Sequence, residues 1–108
     1  MTYGPLMDRI IEELKKIYDP EIPVNIYDLG LIYAIDCGEG KEGPRCVVTM
    51  TLTSAACPVS ESLVDQVRNV GHLIEEYPDL TIEPHLVFDP PWDLSKMSDE
   101  AKLHLGML

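Results

Sequence analysis

Thr49-Met50-Thr51-Leu52-Thr53-Ser54-Ala55-Ala56-Cys57-Pro58 is the stretch on which the fold turns. Its first half alternates polar and apolar residues as a strand does; its second half is a run of small residues closed by a cysteine and a proline. Proline suits the first position of a helix, where no N–H is needed and the fixed φ already matches. The stretch therefore reads as strand, short loop, helix, with Cys57 at the N-cap. Unpaired N–H groups and the positive end of the helix dipole favour an anion there. Such a thiol should lose its proton more readily than a free cysteine, and the thiolate is both nucleophile and metal ligand. Ser54, Ala55 and Ala56 put little bulk in front of the sulfur. The plainer alternative is a small cysteine buried in the core.

Working back from this stretch, Cys46 to Leu52 and Leu31 to Cys37 both alternate as strands, and the polar, glycine-rich segment Gly38 to Arg45 joins them as a hairpin. Matching the apolar faces opposes Ile35 with Val48 and Tyr33 with Met50, which brings Cys37 opposite Cys46. The other face carries Val47, Thr49, Thr51 and Thr53, of which Thr51 and Thr53 lead towards Cys57. Asp19 to Gly30, with Asp19, Glu21 and Asp28, is an acidic loop long enough to suggest function; an acidic turn bonding its own backbone is the structural alternative. Before it, Met7, Ile10, Ile11, Leu14, Ile17 and Tyr18 recur at helical spacing as far as Asp19-Pro20.

Working forward, Val59, Leu63, Val67, Val70, Ile74 and Tyr77 trace a helix ended by Pro78, with Gly71 inviting close packing on the sheet. Leu80 to Phe88 is a third strand that Pro84 assigns to an edge or a bulge. Asp89-Pro90-Pro91-Trp92-Asp93 is a stiff turn, whose Trp92 is a lid over the core or an anchor for a partner. Ser98 caps a last short helix that Gly106 ends. The order helix–strand–strand–helix–strand–helix defines an α/β (α+β) two-layer domain spanning 1–108. Its small three-stranded mixed sheet carries helices on one face, leaving the threonine face open for a client or a second copy of the chain.

Nineteen acidic against eight basic residues give a net charge of −11, which repels phosphate backbones and argues against nucleic acid. No apolar run is long enough to cross a bilayer and no signal-peptide pattern opens the chain, so a cytoplasmic location is expected. Three cysteines without a Cys-x-x-Cys pair argue for free thiols and against a self-contained zinc site.

Three groups of residues together resemble the SufT/PaaD-like family of iron–sulfur cluster assembly proteins. They are Asp19-Pro20-Glu21 with Tyr27-Asp28-Leu29-Gly30-Leu31-Ile32, then Thr51-Leu52-Thr53 with Cys57-Pro58, then Asp89-Pro90-Pro91-Trp92 with Met97-Ser98 and Leu105-Gly106. The resemblance covers nearly the whole chain. It implies a fold like the C-terminal domain of NifU-type scaffolds, a single reactive cysteine at Cys57, and an acidic loop near it formed by Asp19, Glu21 and Asp28. Unlike those scaffolds, this chain has no Cys-x-x-Cys pair. Iron or a cluster held transiently would then need ligands from a dimer, a client or a small thiol.

The expectation is a non-enzymatic accessory factor that assembles or delivers clusters, with the assembly machinery and client apo-proteins as partners. Cys57 would be its reactive residue, Asp19, Glu21, Asp28, Thr51 and Thr53 its supporting site, and Trp92 a partner contact. Two alternatives stand beside it. One is a cysteine-dependent enzyme, for which His72, His85 and His104 are available bases not tied to Cys57 by sequence. The other is an interaction module such as a PaaD-like accessory protein of a monooxygenase system.

Overall fold

A computed structural model describes residues 3–19, 22–53 and 60–107, and has the expected element order. The helices are α1 (Gly4–Leu14), α2 (Ser60–Asn69) and α3 (Asp99–His104); the strands are β1 (Ile32–Glu39), β2 (Pro44–Met50) and β3 (Thr81–Leu86). The sheet order is β1-β2-β3, with β1 antiparallel and β3 parallel to β2. A hairpin can only be antiparallel, whereas the passage from β2 to β3 is long and includes α2, as a parallel pairing requires. Pro84, which cannot donate to a ladder, lies on the edge strand β3.

The central strand builds the core. Cys46, Val48 and Met50 are fully buried, and Ile82 of β3 shares their face as the partner of Cys46. Leu6, Ile10 and Leu14 of α1 and Leu63 and Val67 of α2 close over the same core. Fully burying each such aliphatic side chain contributes about 1.5–3 kcal/mol. Gly71 has the close approach expected of it: a Cβ there would stand 3.1 Å from the Leu80 carbonyl oxygen and 3.3 Å from Ile82 Cγ1. The opposite face carries Arg45, Val47 and Thr49 beside Thr81, Glu83 and His85, all half-buried or exposed, with Arg45 and Glu83 paired across β2 and β3.

Several expectations need correction. The hairpin register does oppose Ile35 with Val48 and Cys37 with Cys46, but an irregularity between Ile32 and Ala34 leaves Tyr33 out of the pairing and sets Ile32 against Met50. The first helix ends at Leu14, short of Ile17 and Tyr18, because the chain tightens into three-residue turns and then extends to pair Tyr18 with Asn25. The second helix gives way at Val70 to a 3₁₀ turn reaching Leu73, well before Pro78. Thr51 does not belong to an open face: it is 1% exposed. Its backbone N–H carries the β1–β2 ladder one residue past the strand ends, to the Leu31 carbonyl at 2.9 Å.

The expectation of free thiols is also corrected for two of the three cysteines. Cys37 and Cys46 are joined by a disulfide, since the register sets them directly opposite with Cα atoms 4.0 Å apart. Among the described residues no helix is long and apolar enough to cross a membrane.

Candidate functional site

The loop between α1 and β1 is a structured clamp. The Asp19 N–H bonds the Val24 carbonyl at 3.2 Å, and the Ile26 N–H bonds the Ile17 carbonyl at 2.9 Å. Asp19 is buried, and its Oδ1 accepts from the Ile22 N–H at 3.0 Å. This removes Asp19 from the set of exposed acids and gives it the backbone-bonding role of an Asx turn. Asn25 closes the second half of the loop: its Oδ1 accepts from the Asp28 N–H at 2.8 Å, while its Nδ2 donates to Asp28 Oδ2 at 2.7 Å.

Everything then converges on Asp28 to Leu31. The Asp28 carbonyl accepts from the Ser98 N–H at 2.8 Å, the Leu29 carbonyl from Trp92 Nε1 at 2.7 Å, and the Leu31 carbonyl from the Thr51 N–H. Gly30, with φ 87°, lets these four residues turn through so tight a space; a Cβ there would fall 2.2 Å from the Lys96 carbonyl oxygen. Two segments far from it in the chain, the exit of β2 and the turn from Trp92 to Ser98, are thus fastened to one run of backbone. Trp92 is half-buried against the core with its indole N–H engaged, which agrees with a lid.

Tyr33, freed by the irregularity in β1, donates its hydroxyl to the Pro90 carbonyl at 2.8 Å, and Lys96 Nζ lies 5.6 Å from its ring centre. Burial, and secondarily the charge of Asp93, push the Tyr33 hydroxyl above its usual 10.0. Ser95 bonds hold the Asp93 carboxyl below its usual 3.8. Ser98 caps α3 by accepting from the Ala101 N–H at 3.1 Å. A cleft of about 190 Å³ opens beside the clamp, lined by Tyr18, Asn25, Asp28, Glu100 and His104 among others.

Of the residues expected to form the site, Asp19, Asp28, Thr51, Thr53 and Trp92 are described, and Asp28, Thr51 and Trp92 are brought together on the clamp. Cys57 and Glu21 lie outside the described residues, as does the Cys57-Pro58 helix start. Asn25 and Tyr33 carry clamp contacts that residue patterns did not single out, whereas Ser98 was singled out as a helix cap and not for its bond to Asp28. The Asn25-x-x-Asp28 spacing is the one available signal, since Asn bonding backbone a few residues ahead is common turn chemistry. Among the described residues no three His, Cys, Asp or Glu side chains converge so that they could hold a metal ion.

A fold of this kind, with residues 7–72 matching the family described as iron–sulfur cluster assembly protein, places the chain in that family. It is 43% identical to a Porphyromonas gingivalis protein named Fe–S protein maturation auxiliary factor, over 92% of this chain and 90% of that one. It is 41% identical to the Staphylococcus aureus Fe–S protein maturation auxiliary factor SufT, over 84% of this chain and 98% of that one. Among solved structures it is similar to a domain of unknown function from Bacillus anthracis, with TM-score 0.76 and 34% identity over 94% of this chain and 92% of that one.

Proposed function

We propose that this chain is a non-enzymatic auxiliary factor in the maturation of iron–sulfur proteins, working through Cys57 beside the acidic loop. The observation that carries the reading is the clamp. The exit of β2 at Thr51 and the turn from Trp92 to Ser98 are bonded to one four-residue run at the end of the acidic loop, and these segments carry the family resemblance. Thr51 lies six residues before Cys57 in the sequence, so the clamp fixes the point from which the stretch toward that thiol begins. The names of the relatives support an accessory role.

Iron, a cluster or a persulfide is the cargo in this reading. One cysteine supplies one ligand, so the remaining ligands come from the assembly machinery, a client apo-protein, a small thiol or a second copy of the chain. In this reading the work takes place in the cytoplasm.

The test is restoration of iron–sulfur enzyme activity in cells lacking the chain. The unsubstituted protein restores it, and a Glu21→Ala, Asp28→Ala variant present at equal abundance does not. Equal restoration by that variant would remove the acidic loop from the site.

A further inference from the structure

We propose that Cys37 and Cys46 form a redox-active dithiol that pins the β1–β2 hairpin when oxidised. Cys37 is the sulfur reached by low-molecular-weight disulfides, and Cys46 is the one that resolves the mixed disulfide. The proposal is independent of the function assigned to Cys57. Three observations carry it. The strands pair Cys37 with Cys46 directly, so the ladder itself brings the sulfurs together whichever state they are in. The two environments differ: Cys46 on the central strand is 0% exposed, whereas Cys37 on the edge strand is only partly covered. The bond closes a short loop, with a sequence separation of 9, that carries the exposed residues Lys41 and Glu42.

The chemistry follows from that asymmetry. The Cys37 thiolate attacks one sulfur of a small disulfide, whose S–S bond breaks and releases one thiolate. The Cys46 thiolate, already opposite, attacks the Cys37 sulfur and expels the second. The two protein thiols give up two electrons and two protons, and the small disulfide becomes two thiols. Under reducing conditions the same steps run backwards, with entry again at Cys37. Oxidation restricts the unfolded chain more than the folded one, because the folded hairpin already holds both ends of the loop in place.

The experiment equilibrates the protein with reduced and oxidised glutathione over a wide range of ratios, traps free thiols by alkylation, and reads intact and peptide masses. The expected result is a single two-electron transition from dithiol to Cys37–Cys46 disulfide, without lasting glutathione adduct on Cys37 or Cys46; an adduct on Cys57 is read separately from its own peptide. A pair that stays reduced at every ratio, or oxidised at every ratio, overturns the proposal. Cys46→Ser should accumulate one glutathione on Cys37, whereas Cys37→Ser should leave Cys46 free; the opposite pattern overturns the assignment of roles.

Because substituting a buried residue can disturb folding, the reduced, unsubstituted protein supplies a second readout. Cys37 should be alkylated at least about tenfold faster than Cys46, whose exposure waits on local opening; equal rates overturn the asymmetry. The oxidised protein should melt roughly 5–15 °C above the reduced one, from the usual effect of closing a loop of this size, and equal melting temperatures overturn the pinning.

Discussion

Gly30 occupies the left-handed region with φ 87°, and the space beside its Cα is filled by the Lys96 carbonyl. Gly30→Ala should therefore cost about 2–4 kcal/mol, combining backbone strain with a steric overlap that only backbone movement can relieve. A urea titration should show the midpoint falling at unchanged slope; a loss below roughly 1 kcal/mol would mean the clamp is looser than described. Trp92→Phe keeps an aromatic ring but leaves the Leu29 carbonyl without its donor, at a cost of about 1 kcal/mol by the same titration. At this scale the sequence was half legible. Gly30 stood at the end of the acidic loop and Ser98 at the start of a helix, both visible as punctuation. That Asp19 is buried and bonds Ile22 was not visible, because a short polar residue in a loop looks the same whether it faces water or its own backbone.

For the loop as an element, the expectation is that its acids divide by task. Asp19→Ala removes the acceptor for the Ile22 N–H and should cost about 1 kcal/mol. Glu21→Ala should leave the melting temperature nearly unchanged while lowering client maturation; the reverse pair of outcomes would exchange their roles. The α1 end of the molecule is tied down by Arg9, whose Nε donates to Glu76 Oε2 at 2.6 Å. The bond to Arg9, the first of its causes, holds the Glu76 carboxyl below its usual 4.5. Its contribution is thus complete above about pH 4.5, the unfolded value, and is lost as pH falls through the lower folded value. Arg9→Gln should narrow the stability difference between neutral and acid pH, and an unchanged acid limb would show the pair to be idle. Glu76 is exposed and Arg9 only half-buried, so the effect is small. The hairpin register was legible from alternation as far as Ile35 and Val48. The displacement at Tyr33 was not, since it answers to a turn nearly sixty residues away, whose Pro90 carbonyl takes the tyrosine hydroxyl.

At the scale of the whole molecule, helix and strand order followed from periodicity and from proline and glycine positions. The parallel placement of β3 on β2 follows from the long connection between them. What alternation could not reveal is that the acidic loop, the exit of β2 and the Trp92 turn meet on Asp28 to Leu31, because such contacts are set by tertiary geometry. The account rests finally on Cys57. Serine differs from cysteine by one atom and is close to it in size, so Cys57→Ser should preserve folding while removing the thiolate. The most direct measurement is the activity of iron–sulfur enzymes in cells whose only copy of this chain carries Cys57→Ser, with its abundance and melting temperature checked alongside. The account predicts a stable, normally abundant protein and client activity no higher than in cells lacking the chain. Full client activity would contradict it and leave the chain as an interaction module whose cysteine is only packing.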